Sequence, residues 1–121
     1  MKKKILVIED NEDNRRIVCD LLTSAGYEVI EALNGQEGVT AAETQGPELI
    51  IMDIQLPDFD GYEATRRIKA NPTLSPIPII AVTSYALSGD DVKAFEAGCD
   101  AYVTKPFSPR ELLAKIREYL K

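Results

Sequence analysis

Five short apolar segments recur along the chain and predict its strands. They lie at residues 5–8, 28–30, 49–52, 77–82 and 101–103. Three of these segments are apolar without alternation, which is typical of strands that are covered on both faces. Each stretch between two segments is long enough for one helix, so the pattern indicates strands and helices in alternation.

The stretches between the segments show helical spacing of apolar residues. In the first, Ile17, Leu21 and Ala25 are predicted to line one helix face, with Leu22 beside them and Gly26 ending the helix. Further helices are predicted over 35–45, 62–70, 88–97 and from 108 to the end of the chain.

The alternation of elements predicts the fold class. Five strand–helix repeats favour an α/β protein with a parallel sheet and right-handed crossovers. The length of 121 residues fits one domain, and no linker or low-complexity segment divides the chain. We therefore expect a single domain over residues 1–121, without an output domain.

Charge and residue content narrow the possible chemistry. The net charge of -6 argues against direct binding to nucleic acid or an anionic membrane. The chain has no histidine, which excludes histidine-based catalysis and most zinc sites. Oxygen ligands remain, and these favour magnesium. Two cysteines far apart in sequence, with no signal peptide or long apolar segment, predict a reduced, cytoplasmic protein.

Polar residues follow four of the five predicted strands. In a parallel sheet these strand ends lie at one edge, where ligands of such folds bind. We therefore expect Asp10, Asp53, Thr83 and Lys105 to converge, although they are distant in sequence. The full set of polar residues and their neighbours at these ends is Glu9, Asp10, Asp53, Thr83, Ser84, Thr104, Lys105 and Pro106.

The predicted cluster has the composition of a phosphoryl-transfer site. Two or three carboxylates can bind Mg²⁺, which keeps coordination positions for phosphate oxygens. A carboxylate can also attack phosphorus and form an aspartyl phosphate. Lys105 would supply a second positive charge and the Thr83 hydroxyl a hydrogen bond. The cluster therefore predicts a magnesium site that contains a nucleophile.

Four motifs together give the chain a family resemblance. They are Glu9-Asp10, MDIQLPDFDG at 52–61, AVTSYA at 81–86 and AYVTKPF at 101–107. In this order they resemble a response-regulator receiver domain of two-component signalling. EDNEDN and GCDAYVTKP are similar to DivK-type single-domain regulators and to receivers of hybrid kinases. The resemblance covers the whole chain and implies the flavodoxin-like receiver fold, with strand order 2-1-3-4-5 and five flanking helices.

The resemblance implies a role for each residue of the acid cluster. Asp53 would be the phosphoacceptor, and Asp10 a direct ligand of Mg²⁺. Glu9, which replaces an aspartate of many members, would act nearby or through water, and the Gln55 carbonyl would complete the protein's metal contacts. Lys105 would pair first with Asp53 and then with the phosphoryl group.

The resemblance also implies a switch. Thr83 would close on the phosphoryl group, and Tyr102 would be an aromatic rotamer switch. The Lys105–Pro106 peptide bond is expected to be cis, which would fix the direction of the lysine. Gln55 and Tyr85, which flank the presumed phosphoryl group, would tune the lifetime of the phosphate.

Two surfaces are predicted to bind partners. Asn14, Arg15 and Val18, on the first helix beside the acid cluster, could meet a phosphodonor. The expected donor is a sensor histidine kinase or a histidine phosphotransfer protein, since this chain has no histidine. A second surface, formed by the fourth helix, the fifth strand and the fifth helix near Tyr102, would meet a downstream protein target, and Pro106 and Phe107 are also predicted to bind a partner. We expect a monomer by default, with a dimer on phosphorylation possible.

Three other functions compete with this interpretation. A haloacid-dehalogenase-like phosphatase also forms an aspartyl phosphate, but it needs an acid two residues after the nucleophile, where this chain has Gln55. A flavodoxin-like cofactor binder should have a phosphate loop of Thr, Ser and Gly, whereas EDNEDN would repel a phosphate. A receiver that serves only as an interaction scaffold stays open. The main expectation is a phosphorylation switch that is not a metabolic enzyme.

Overall fold

The computed structural model describes residues 2–83, 90–105 and 107–120. Within them the strands are β1 (Lys4–Ile8), β2 (Glu28–Ala32), β3 (Leu49–Asp53), β4 (Ile79–Thr83) and β5 (Ala101–Thr104). The helices are α1 (Glu12–Ser24), α2 (Gly35–Gln45), α3 (Gly61–Ala70), α4 (Asp90–Ala97) and α5 (Pro109–Tyr119). Ser84, Tyr85 and Pro106, with the predictions made for them, lie outside the described residues.

The strands form one parallel sheet in the order β2-β1-β3-β4-β5, which confirms the predicted topology. β3 and β4 are buried along their whole length, as their unbroken apolar sequences predict. The order reverses between β1 and β3, so the carboxyl ends of these two strands flank a crevice.

Helices cover both faces of the sheet. One face packs against α1 and α5 through residues such as Val18, Leu22, Leu112 and Ile116. The other face packs against α2, α3 and α4, where Ala42, Ala64, Ile68 and Ala94 are buried. No helix in the described part of the chain is both long enough and apolar enough to cross a membrane.

The predicted buried face of α1 is wrong by about one residue. Ile17 is 64% exposed and Ala25 is also exposed, whereas Val18 and Leu22 are buried against the sheet. Neighbouring helix positions differ by about 100°, so two adjacent apolar stripes can each have helical spacing. Packing against β1 and β3 selects the stripe of Val18 and Leu22.

The fourth strand begins two residues later than predicted. The Ile77 amide donates to the Leu74 carbonyl at 2.9 Å within a turn, and Pro78 has no amide hydrogen. The Ile79 amide instead donates to the Asp100 carboxylate at 2.8 Å. β4 therefore starts at Ile79, and its carboxyl end stays where the sequence predicts it.

Candidate functional site

The carboxyl ends of β1 and β3 bring three carboxylates together. Glu9 and Asp10 follow β1 directly, and Asp53 is the last residue of β3. One carboxylate oxygen from each lies within 4.8 Å of the others. Glu9 and Asp53 are buried, whereas Asp10 is exposed at the rim. The predicted convergence of acids is therefore present in the fold.

Lys105 carries the positive charge nearest to these acids among the described residues. Its Nζ lies 2.9 Å from Glu9 Oε1 and 3.9 Å from Asp53 Oδ2. The Lys105 main-chain amide donates to the Thr83 carbonyl at 2.7 Å, which continues the pairing of β4 with β5 beyond Thr104. Thr83 itself is buried at the end of β4. The four residues predicted to converge thus occupy one edge of the sheet.

The two buried carboxylates have opposite pKa shifts. Burial, together with the hydrogen bond to Glu9, raises the pKa of Asp53 to about 7. Burial also acts to raise the pKa of Glu9, but hydrogen bonds to Asp53 and Lys105 outweigh it and lower the pKa. Below about pH 7 without a cation, the two side chains therefore share a proton, which lies chiefly on Asp53.

The donor set fits Mg²⁺. All the clustered ligand atoms are carboxylate oxygens, which suit hard cations, and the exposed Asp10 leaves one side open to solvent. The single lysine cannot neutralise three acids, so a divalent cation would restore the charge balance. Gln55 lies beside the cluster, where its main-chain amide donates to Asp53 Oδ1 at 3.1 Å.

The loop after Asp53 is tied to the start of α2, which the sequence analysis missed. The Asp58 carboxylate accepts hydrogen bonds from the amides of residues 35–36 at 2.8 and 2.9 Å. The next residue, Phe59, has the Arg67 guanidinium 4.0 Å from its ring centre. An aspartate in a loop that contains proline and glycine is an ordinary loop residue in sequence, so no local pattern marks its hydrogen bonds to helix amides 23 positions away.

Gly61 lets α3 begin directly against β3. A Cβ at this position would lie 2.5 Å from the Asp53 carbonyl oxygen and 2.7 Å from the Ile54 Cα. The Gly61 amide donates to the Ile54 carbonyl at 2.8 Å. Glycine is therefore required where the loop after Asp53 enters α3, since only glycine allows this close approach to β3.

A cleft of about 420 Å³ opens from the acid cluster along α1. Glu9, Asp53 and Lys105 line its polar end, and Asn14, Ile17, Val18 and Phe107 are among the residues of its other walls. Three of the predicted partner-binding residues, Asn14, Val18 and Phe107, thus lie here. Val18 was predicted on the helix surface, but it belongs to the core because the sheet-facing stripe of α1 passes through it.

Two further predicted site residues, Arg15 and Tyr102, have contacts within the chain. Arg15 is engaged within the chain, with hydrogen bonds to Glu31 and to the Glu9 carbonyl. Tyr102 is half-buried and packs against the core on the sheet face that α2, α3 and α4 cover. Its switch role stays a prediction.

Fold and site together define a receiver domain of two-component signalling. The chain belongs to this family, since residues 5–117 match the response regulator receiver domain. It is 42% identical to the polar-differentiation response regulator DivK of Brucella anthropi over 120 residues, which cover 99% of this chain and 98% of the relative. DivK of Brucella ovis is 41% identical over the same shares of both chains.

Solved structures agree with this membership. The receiver domain of sensor histidine kinase PA1611 from Pseudomonas aeruginosa superposes with a TM-score of 0.92 at 38% identity, over 99% of this chain and 98% of that one. That structure has a magnesium ion coordinated in its active-site cleft. The Saccharomyces cerevisiae Ssk1 receiver domain, solved with the histidine phosphotransfer protein Ypd1, gives a TM-score of 0.91 at 34% identity, over 98% and 88%.

Proposed function

We propose that this chain is a phosphorylation switch whose acceptor is Asp53. The observation that carries the proposal is the position of Asp53 at the end of β3, buried with Glu9 and within 3.9 Å of Lys105. A carboxylate in this setting faces an open cleft, so a phosphodonor can reach it from the side of α1. The chain would promote its own phosphorylation and dephosphorylation and turn over no metabolite.

The proposed reaction moves a phosphoryl group from nitrogen to oxygen. An Asp53 carboxylate oxygen attacks the phosphorus of a phosphohistidine, a P–O bond forms, and the P–N bond breaks with its electron pair left on the imidazole. Asp53 must be ionised to attack, whereas burial and Glu9 raise its pKa to about 7 in the cation-free chain. Lys105 favours the ionised form and then has a new anion to bind.

Mg²⁺ is the proposed cofactor. Asp10, Asp53 and the Gln55 carbonyl would hold it, and Glu9 would act nearby or through water. When bound, the ion neutralises charge on the acids and on the transferring group. Gln55 is also proposed to tune how long the phosphate persists, because it is exposed directly beside Asp53.

The proposed switch uses more than one contact. Converting a population from 1:99 to 99:1 takes about 5.5 kcal/mol of differential interaction. A hydrogen bond from the Thr83 hydroxyl to a phosphoryl oxygen contributes roughly 1.5 to 3 kcal/mol. Lys105 contacts and a change in Tyr102 burial would supply the rest, or a partner would complete a partial switch. The surface that bears Tyr102 would then meet the downstream target.

The proposed phosphodonor is a sensor histidine kinase or a histidine phosphotransfer protein. The complex of the similar Ssk1 receiver with Ypd1 supports this class of partner. The exposed Ile17 and Asn14 on α1 border the cleft that leads to Asp53, so a donor helix could dock there. A cytoplasmic location fits the two free cysteines, Cys19 and Cys99.

Intact-mass spectrometry after incubation with phosphoramidate tests the proposal. We expect one phosphoryl group to be gained with Mg²⁺ and none with EDTA. Asp53→Asn should abolish the gain, while Asp60→Asn, the same change at an exposed helix cap, should not. No gain in the natural chain, under conditions that label another receiver, would favour the scaffold alternative.

A further inference from the structure

Arg15 makes two ordered contacts inside the chain. Its Nε donates to Glu31 Oε1 at 2.9 Å, and its NH1 donates to the Glu9 carbonyl oxygen at 3.1 Å. The side chain is only 14% exposed, although it lies on the first turns of α1. Arg15 therefore links α1 to the end of β2 and to the loop that carries the acids.

The contact to Glu9 completes a main-chain clamp. The Glu9 amide donates to the Ala32 carbonyl at 3.1 Å, so both polar groups of this residue's main chain are bound. Ala32 ends β2, and Glu31, which holds Arg15, precedes it. With its main chain fixed from the β2 side, Glu9 directs its carboxylate to Lys105 and Asp53.

The neighbouring arginine shows what an ordinary surface residue does here. Arg16 is 66% exposed and makes an ion pair with Glu12, four residues earlier, at 3.3 Å. Such exposed pairs contribute little to stability. Arg15 differs because it is largely buried, donates to a main-chain carbonyl and pairs with Glu31 on β2.

Glu31 is solvent-exposed near the end of β2, and its carboxylate accepts from the Arg15 Nε. The Cys19 thiol lies one turn further along α1, where burial and the nearby charge of Glu31 raise its pKa to about 11, so the thiol keeps its proton. The orientation of Arg15 therefore rests on Glu31 and on the Glu9 carbonyl.

We infer that Arg15 is a positioning residue of the acid cluster, which holds the Glu9–Asp10 loop in the geometry that binds the cation, rather than a contact for the phosphodonor. The inference rests on the proposed function for its meaning, because the clamp matters only if the acids bind Mg²⁺. Partners that orient metal ligands from behind typically change metal affinity by about 10- to 100-fold. We expect loss of the Arg15 contacts to weaken Mg²⁺ affinity roughly tenfold, because it removes only one of the contacts that position the acid cluster.

The test compares Arg15→Met with Arg16→Met, the same change at the adjacent exposed position. Mg²⁺ affinity is measured by calorimetric titration on the unphosphorylated chain, and the phosphorylation rate is measured with phosphoramidate at saturating Mg²⁺. We expect Arg15→Met to weaken Mg²⁺ binding roughly tenfold and to change the saturated rate by less than about threefold. Arg16→Met should leave both unchanged.

Two further variants separate positioning from a loss of folding. Glu31→Gln keeps an acceptor for the Arg15 Nε and should retain Mg²⁺ affinity within about threefold. Arg15→Lys keeps the charge but lacks the planar fork that directs one nitrogen to Glu31 and another to the Glu9 carbonyl, so its affinity should lie between those of the natural chain and Arg15→Met. Melting temperatures in EDTA show whether each variant is folded before it is titrated.

The outcomes distinguish the inference from the proposed function. Equal Mg²⁺ affinity in Arg15→Met and the natural chain overturns the inference, as does a defect seen only with a phosphohistidine protein as donor. Weakened Mg²⁺ binding in Arg15→Met supports it, even if Asp53 is not phosphorylated and the proposed function fails. A natural chain that does not bind Mg²⁺ overturns both.

Discussion

Changing Asp53 to asparagine should stabilise the cation-free protein above neutral pH. In the folded chain the pKa of Asp53 is raised by burial and by Glu9 from 3.8 to about 7. The folded state therefore binds more protons than the unfolded state between these values, and stability falls as pH rises through this window. Asparagine fills the same space and carries no charge, so it does not contribute this loss.

The magnitude follows from the pKa shift. At pH 8 the rise in the pKa of Asp53 corresponds to about 4 kcal/mol of ionisation cost in the folded state. Asparagine avoids this ionisation cost, but burying its amide costs about 2 kcal/mol. The amide NH₂ group can still donate to Glu9, as the protonated Asp53 does. We therefore expect Asp53→Asn to gain about 2 kcal/mol, or about 8 °C in Tm for a domain of this size.

The pH dependence identifies the cause. At pH 5 the ionisation cost of Asp53 is only about 2 kcal/mol, which the cost of burying the asparagine amide offsets, so the advantage of asparagine should be close to zero. Glu9 does not interfere in this range, because its pKa is lowered from 4.5 and its stabilising charge is lost only at more acid pH. The window from pH 5 to pH 8 thus reports Asp53.

Thermal unfolding in EDTA at pH 5 and pH 8 measures the effect, with Asp60→Asn as the matched control. Asp60 caps α3, asparagine is an equally good cap, and we expect no change in Tm at either pH. Mg²⁺ at pH 8 should stabilise the natural chain more than Asp53→Asn. A gain that is absent at pH 8, or equal at both pH values, would refute the reasoning.

Substitutions at three further positions probe the surroundings of Asp53. Gly61→Ala forces a Cβ against the β3 main chain and should cost about 3 kcal/mol in denaturant unfolding. Asp58→Ala removes the acceptor of the first two amides of α2, while the N-cap Asn34 stays in place, and should cost about 1 kcal/mol; Asp58→Asn should recover part of it. Lys105→Met should slow phosphorylation by phosphoramidate roughly a hundredfold. It should also tighten Mg²⁺ binding, because it removes a cation that competes for Glu9. A loss of Mg²⁺ affinity alongside the slower rate would count against this assignment.

The sheet and the site could be predicted from sequence because the alternation of apolar and polar segments indicates both. Apolar runs mark the strands, and a parallel sheet places their carboxyl ends at one edge. Asp53 and Lys105 could therefore be brought together, although 52 positions separate them. The packing of α1 could not be settled, because Ile17 and Val18 each belong to an apolar stripe and only the sheet selects between them.

The supports of the site could not be read from sequence. Asp58 accepts hydrogen bonds from the start of α2, 23 positions earlier in the chain. Arg15 on α1 binds both the Glu9 carbonyl and Glu31 on β2. Both contacts depend on the direction of side chains in the folded chain, and charged residues in these positions otherwise fit solvated surface. Arg15 was accordingly predicted as a partner contact.

Locating the phosphoryl group is the most direct test of the central claim. The natural chain is phosphorylated with Mg²⁺, reduced with borohydride, which converts an acyl phosphate into an alcohol, and digested for peptide sequencing by mass spectrometry. Our account predicts homoserine in place of aspartate at position 53 and at no other position. Homoserine at Asp10 or Asp58, with residue 53 unchanged, would contradict it.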